Sequence, residues 1–236
     1  MTKDKTYIFK ALRAAFPHTI PILAGFLVLG MSYGVYARAS GFSFWYPVCM
    51  AVAIFGGSLE FVAVAMLLGA FAPVQTFLMA LMIQARHLFY GISMLERYKG
   101  MGWKKPYLIY ALCDETFSIN CAVRAPEGID EGWFMFFVSV LDQSYWITGT
   151  VIGSVLGGVI PFSTEGLDFA MTALFVVIFL DQWLKEDKHW SSLIGMGASV
   201  GCLLLFGADS FLIPTMVCIL CLLSVCRKPI EGGDRS

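Results

Sequence analysis

The sequence contains few charged residues, and this shortage excludes an ordinary soluble domain. Only 14% of the 236 residues are charged and 58% are hydrophobic, whereas soluble domains carry roughly 25% charged residues. The net charge is −1 and there is no block of basic residues, so nothing in the sequence indicates nucleic-acid binding. The apolar runs are nearly continuous, unlike the alternating segments of an outer-membrane barrel. We therefore predict an all-α integral membrane protein, a polytopic helical bundle.

Motifs for metal or hydrolytic chemistry are also missing. The C-x-x-C spacing of Cys218 and Cys221 has no second pair or histidine nearby, and most of the seven cysteines lie inside apolar runs. We expect free thiols, with no metal and no cofactor. An intramembrane serine hydrolase pairing Ser58 with His87 is disfavoured, because bulky Leu59 follows the serine and no G-x-S-G motif occurs. A metalloprotease is disfavoured because no H-E-x-x-H motif occurs. The chain is not expected to be an enzyme.

What the sequence does contain is a set of long apolar runs, and the most informative run is interrupted. Residues 45–71 are too many for one crossing of a roughly 30 Å hydrocarbon core and too few for two. Gly56 and Gly57 at its centre allow a helix to break, and broken backbone at membrane depth needs protein or a water-filled cavity beside it. We predict two half-helices in a re-entrant path, with Ser58 and Glu60 opening the second half. The alternative is one long kinked helix in which Glu60 pairs with a neighbour.

The rest of the chain divides into an interfacial segment, a membrane domain and a tail. Residues 1–16 are weakly amphipathic and basic, which favours a helix at the cytoplasmic membrane surface. Residues 17–226 are predicted to form a single transmembrane domain, and residues 227–236 a polar cytoplasmic tail. The remaining apolar segments of the domain cover residues 17–37, 73–95, 107–123, 133–160, 168–183, 190–206 and 211–226.

The distribution of lysine and arginine predicts the topology. Short cytoplasmic loops carry an excess of these cations. If residues 45–71 are re-entrant, the cation-rich loop 97–105 lies inside with the basic N-terminal segment, and the acidic loop 124–132 lies outside. Both chain termini are then predicted to be cytoplasmic.

A recurring glycine spacing suggests an internal repeat. Gly149 and Gly153 reproduce the G-x-x-x-G spacing of Gly30 and Gly34, which favours close helix packing in lipid. Three crossings in each half would make the repeats inverted, an architecture common in secondary transporters. We predict repeats over 17–123 and 133–226, each with one broken or re-entrant helix. The second such helix would lie at 168–183, where Leu180-Asp181-Gln182 faintly echoes Leu59-Glu60-Phe61.

Charged residues inside the apolar runs are candidates for a substrate site. Arg86 needs a partner at that depth, and a guanidinium suits a carboxylate. Its partner is either a substrate carboxylate or a structural acid, Asp114 or Glu115. The free N–H groups at the start of a half-helix at Ser58 also suit a carboxylate, and Glu60 would then face the substrate amine. The predicted substrate-binding residues are Ser58, Glu60 and Arg86.

A second group of residues suits proton or ion coupling. Histidine changes charge near neutral pH, so His87 is a candidate relay. Asp114 and Glu115 are adjacent and point about 100° apart on a helix, so we expect them to serve different partners. The predicted coupling residues are His87, Asp114 and Glu115. Asp142 and Gln143 lie nearer the outer end of another apolar run, where we expect an interfacial or an interhelical hydrogen bond.

Four motifs in this order resemble the AzlC family, the large subunits of branched-chain amino acid exporters (LIV-E type permeases). They are IFGGSLEF at 54–61, RHLFYG at 86–91, DETF at 114–117 and GLDFA at 166–170. The resemblance implies a bacterial inner-membrane permease that exports small apolar amino acids, with a small AzlD-type membrane partner. Glu60 stands where the family often has glutamine, which leaves the substrate open. The alternative function is a channel or a structural membrane subunit.

Overall fold

The regular elements of the described part of the chain are helices. The computed structural model describes residues 2–159 and 189–207, and also 176, 179–180, 183–184, 211, 214–215, 217–219 and 221–222. No strand occurs among these residues. The helices are α1 (Thr2–Ala39), α2 (Trp45–Ala53), α3 (Gly57–Leu68), α4 (Pro73–Ile83), α5 (Ala85–Met94), α6 (Lys104–Tyr110), α7 (Asp114–Ala122), α8 (Glu131–Val159) and α9 (Trp190–Phe206). The prediction of an all-α protein is confirmed.

The chain separates into two compact units, residues 1–167 and 168–236. The first unit holds α1 to α8, and the second holds α9. The predicted re-entrant segment 168–183 with Asp181, the GLDFA motif and the tail 227–236 fall wholly or mostly outside the described residues. By length and composition, α1 can cross a membrane from Tyr7 to Ala39, and α4 with α5 can do so as one span bent by 50°.

Helices α1 and α8 form the frame of the first unit, and glycines on both helices bring the backbones together. A Cβ atom added to Gly30 would lie 2.7 Å from the carbonyl oxygen of Trp146, and one added to Gly149 would lie 2.7 Å from that of Leu27. Such distances are too short for a real Cβ atom, so both positions need glycine. Gly34 meets the backbone at Gly153 in the same way. The packing role of both G-x-x-x-G pairs is confirmed.

The two frame helices run in the same direction, because residues further along α1 contact residues further along α8. Gly30 lies beside Gly149, and Gly34 lies beside Gly153. An inverted repeat with bounds 17–123 and 133–226 requires these helices to run in opposite directions. That assignment of the repeat is therefore wrong for the described residues.

The stretch 45–71 breaks and turns back. Helix α2 ends at Ala53 and α3 begins at Gly57. The Tyr33 hydroxyl of α1 lies 3.5 Å from the sulfur of Met50. Phe55 packs on Phe26, which lies two turns nearer the start of α1 than Tyr33. Phe61 then packs on Tyr33 again, with ring centroids 5.3 Å apart. The chain thus descends along α1 and returns, and the predicted break at the two glycines is confirmed.

Helices α6 and α7 form a second such pair, which enters from the opposite end of the frame. Lys104 starts α6 beside Asp130, with 3.2 Å between Nζ and Oδ1. The Tyr110 side chain at the other end of α6 accepts a hydrogen bond from Gln143, far along α8. Helix α7 returns from there, and the carbonyl of Val123 accepts a bond of 2.5 Å from Arg97. The predicted crossing at 107–123 is wrong, because the chain enters this helix pair at Lys104 and leaves it at Val123, and both positions lie near the start of α8.

Ion pairs place the two charged loops together. Arg97 binds Glu131 at 2.8 Å, and Lys104 binds Asp130. Arg124 also reaches Glu131, at 2.9 Å. The prediction that loops 97–105 and 124–132 lie on opposite sides of the membrane is wrong. An α6–α7 pair that does not cross accounts for this placement and for the shared direction of α1 and α8.

Candidate functional site

Three helix breaks lie close together, and two of them pack against the middle of α8. They lie at residues 54–56 between α2 and α3, at Gln84 between α4 and α5, and at residues 111–113 between α6 and α7. The amide of Gln84 fills the space where a side chain at Gly56 would be. The Tyr110 hydroxyl donates to the carbonyl of Val52. The N-termini of α3, α5 and α7 therefore open around one region.

Gln143 of α8 contacts both helix pairs, α2–α3 and α6–α7, at this junction. Gln143 accepts a hydrogen bond of 2.6 Å from the Tyr107 hydroxyl and donates to Tyr110 at 2.9 Å. Its amide nitrogen also lies 3.4 Å from the carbonyl oxygen of Val52. Gln143 thus joins α6 and the end of α2 to α8, and its predicted interhelical role is confirmed. These bonds satisfy backbone that would otherwise be exposed at membrane depth.

Glu60 fastens the second half of the broken stretch to α8. Its side chain is fully buried, and the indole nitrogen of Trp146 donates to both carboxyl oxygens at 3.1 Å. The backbone N–H of Gly56 donates to the same carboxyl group, also at 3.1 Å. Phe55 just before it has φ of +45°, a strained conformation for a residue with a side chain. The carboxyl group of Glu60 therefore holds the geometry of the break itself. Ser58, two residues before Glu60, is only half-buried.

Arg86 and Asp114 form an ion pair between the first turns of α5 and α7. The guanidinium Nη2 lies 3.0 Å from Asp114 Oδ2, and the side chains are 33% and 37% exposed. Of the two acids predicted as partners, Asp114 is the one that meets Arg86. The ion pair of Arg86 is with Asp114 and not with the adjacent Glu115. That the two acids serve different groups stays a prediction.

The surroundings of this ion pair contain polar atoms with unused hydrogen-bonding capacity. Arg86 Nε, Asp114 Oδ1 and His87 Nδ1 are buried and have no hydrogen-bond partner in the structure. His87 contacts the edge of Tyr90 at 5.6 Å between centroids, and Tyr90 in turn stacks on Phe117 at 4.3 Å. Buried polar groups are normally satisfied. A zwitterionic ligand or ordered water would supply the missing partners here.

Asp142 is a residue of this region that the sequence does not predict as part of the site. The sequence predicts it near the outer end of its helix, but the structure buries it fully in the interior of α8. Its Oδ2 accepts a bond of 3.2 Å from the hydroxyl of Thr116, and its Oδ1 has no partner. The sequence does contain a signal for this residue, because Asp142 is an acid in the middle of the longest apolar helix after α1. In the part of the chain that the structure describes, no group of three side chains suits a metal ion.

Known proteins resemble the chain along nearly its whole length. The profile of the AzlC protein family matches residues 21–160. The chain is 54% identical to the branched-chain amino acid transport protein AzlC of Bacillus subtilis strain 168, over 98% of this chain and 91% of that protein. It is 48% identical to an uncharacterized membrane protein of Haemophilus influenzae, over 95% and 92% of the two chains.

A more distant relative is the inner membrane protein YgaZ of Escherichia coli K12, with 28% identity over 84% of this chain and 82% of that protein. No solved structure matches the chain. The resemblance inferred from the four motifs is confirmed, and so is the prediction of a membrane transport protein rather than an enzyme. The chain belongs to the AzlC family.

Proposed function

We propose that the protein is a secondary transporter that exports small apolar amino acids, in particular branched-chain ones, across the bacterial inner membrane. Residues 17–226 form its transmembrane domain, and both termini face the cytoplasm. It acts with a small hydrophobic subunit of the AzlD type. The relative in Bacillus subtilis is named for branched-chain amino acid transport, which supports this substrate class.

The meeting of three half-helix N-termini around the Arg86–Asp114 pair carries the proposal. The first N–H groups of a helix have no partner within it, and the helix dipole places partial positive charge there. Arg86, Ser58 and these N–H groups suit the carboxylate of an amino acid. Asp114, with one oxygen unused, suits the amine. Glu60 acts through the shape of α3, which it holds against Trp146. An α-amino acid would thus be bound at both ends.

The helix pairs α2–α3 and α6–α7 approach this site from opposite ends of the frame, and they would give it access from both sides of the membrane. The pair α2–α3 enters where α1 ends, and α6–α7 enters where α1 begins. In place of the repeat refuted above, we propose an inverted relation between α1–α3 and α4–α7. Each half is then one span followed by one broken pair. Movement of either pair against the α1–α8 frame would open the central site to one side at a time. His87, Asp114 and Glu115, the coupling residues predicted from the sequence, lie in the first turns of α5 and α7, where they would transmit ion binding to this movement.

Leucine counterflow into proteoliposomes, with and without the small subunit, tests this function. Arg86→Lys keeps the charge that neutralises Asp114 but removes the planar fork that binds a carboxylate. A hydrogen bond to a charged group is worth about 1.5–3 kcal/mol, so we expect at least about a tenfold loss of leucine exchange. Arg124→Lys, the same change on an exposed loop arginine, should exchange leucine at the parent rate.

The folded yield separates a substrate role of Arg86 from a structural one. The pair is one-third exposed, so Arg86→Ala should reduce the monodisperse yield only modestly. Adding Asp114→Asn should restore that yield but not leucine exchange. Full exchange by Arg86→Lys would make the arginine a countercharge only. Downhill flux without exchange would identify a channel, and the absence of flux with the small subunit present would favour a structural subunit.

A further inference from the structure

A buried acid outside the proposed substrate site is poised to change its charge. Asp142 is fully enclosed, its Oδ1 has no partner, and Oδ2 receives one hydrogen bond, from Thr116. The Thr116 hydroxyl lies 3.1 Å from the sulfur of Cys113, and either atom can be the donor. The three groups form a short chain that ends at an unsatisfied carboxyl oxygen.

This chain of hydrogen bonds can serve Asp142 in both of its charge states. When the carboxyl group is ionised, Thr116 donates to it and the Cys113 thiol donates to Thr116. When a proton binds at Oδ2, the acid donates to the threonine oxygen, and the hydroxyl turns to donate to the sulfur. A threonine hydroxyl is one donor with two acceptor lone pairs, so neither state leaves it unsatisfied. A valine at this position would satisfy neither state.

Among the described residues, no cationic side chain forms an ion pair with Asp142 that would hold it permanently ionised. The titratable groups that face it are Glu115 of α7, Cys113 immediately before α7 and Tyr107 of α6. One turn further along α8, Tyr33 of α1 and Glu60 of α3 face Trp146. All of these groups are neutral or acidic. Arg86 is already paired with Asp114.

The surroundings suit a proton better than a metal ion. A hard cation needs about six oxygen ligands. Near Asp142 the structure offers its own two oxygens and the hydroxyl of Thr116. One carboxyl oxygen without a partner is enough for a single proton.

We propose that Asp142 carries the proton that is exchanged during transport, with Thr116 as its relay. This inference rests on the proposed function. A proton binds the Asp142 carboxylate when the site is open to the acidic side and leaves when the site opens to the other side, and no other bond forms or breaks. Thr116 and Cys113 belong to the start of α7, which also presents Asp114 to Arg86. A change in the bond between Thr116 and Asp142 therefore acts directly on the half-helix that holds the substrate.

Leucine transport by Asp142→Asn in proteoliposomes tests the proposal. Asparagine has the shape of the protonated acid and can still bond to Thr116, but it cannot exchange a proton. We expect leucine counterflow without a gradient to persist and accumulation driven by a pH gradient to fall to the level without a gradient. Asp130→Asn, a matched change in the loop, should behave as the parent does. Accumulation of leucine by Asp142→Asn under a pH gradient would overturn the proposal.

A second readout does not depend on the substrate. Infrared difference spectra of the purified full-length protein between low and high pH should contain a carboxyl band that is absent from Asp142→Asn. Identical spectra would overturn the proposal even if leucine is not the substrate. If Asp142→Asn does not fold, Thr116→Val decides the question, because it keeps the acid and removes its relay. This variant should shift the carboxyl band and the pH profile of leucine accumulation, and Thr116→Ser should restore both. An unshifted band and profile in Thr116→Val would refute the relay.

Discussion

Replacing Trp146 with phenylalanine tests how firmly Glu60 is held. The change removes the donor that lies 3.1 Å from both carboxyl oxygens and leaves the buried acid with the N–H of Gly56 alone. A hydrogen bond to a charged group contributes about 1.5–3 kcal/mol. The indole also packs on Gly57, so the smaller ring leaves a void. Together these losses should lower the free energy of unfolding by about 2–4 kcal/mol.

Denaturant unfolding in detergent micelles, followed by intrinsic fluorescence, measures this loss. Glu60→Gln keeps an oxygen that accepts a hydrogen bond from the indole, so it should retain most of the stability. We expect leucine exchange to be slower in this variant. Adding Glu60→Met to Trp146→Phe removes both buried partners, so part of the lost stability should return. The exposed Trp103 provides the matched control, because Trp103→Phe should change stability by less than about 0.5 kcal/mol. Unfolding of Trp146→Phe at the parent midpoint would refute the idea that Trp146 holds Glu60. A double variant whose loss of stability equals the sum of the two single losses would refute it as well.

Three further predictions concern the frame and the loops. Gly153→Ala should cost about 1–3 kcal/mol, because its Cβ would meet the backbone of α1. Gly25→Ala, where nothing lies within 4 Å, should gain a few tenths to about 1 kcal/mol in the same unfolding assay. Cysteines introduced at Gly100 and Gly128, after the native thiols are removed, should react with an impermeant reagent from the cytoplasmic side only; labelling from opposite sides would refute the non-crossing α6–α7 pair. Partial burial raises the pKa of Glu131, but its two arginine partners outweigh it and hold this pKa below the ordinary 4.5. Its contribution is therefore complete above pH 4.5 and lost as the pH falls through the lower folded value, so the stability difference from Glu131→Gln should be constant near neutrality and disappear in acid.

The sequence showed one of the three helix breaks and missed two. The break at Gly56 and Gly57 was visible because paired glycines interrupt an apolar run of unsuitable length. The breaks at Gln84 and at residues 111–113 contain no glycine or proline. They form because neighbouring helices supply partners for the freed backbone and side chains, as Arg86 does for Asp114. Such tertiary contacts leave no periodic signal in one sequence.

The predicted topology is wrong at loop 124–132. Its acidic character does not indicate the outer side of the membrane, because acids contribute little to the charge rule. In the structure the acids Asp130 and Glu131 neutralise cations of the first loop. The G-x-x-x-G pairs were correctly assigned to packing, but the spacing alone does not tell whether two helices run in the same direction. The polar residues of the site were mostly found, because charge inside an apolar run is rare.

The shortness of α6 and α7 constrains how this protein can be assembled. With seven and nine residues, neither helix can span a bilayer, and its end groups have no partner in lipid. The pair can enter the membrane only after α8 has brought Asp142 and Gln143 to receive it, although α8 is synthesised later. During synthesis, residues 104–122 must therefore wait at the membrane surface while α8 inserts. Gln143→Leu, which cannot bond to Tyr107 or Tyr110, should accordingly stall as an inserted chain in which this segment remains open to protease from the cytoplasmic side.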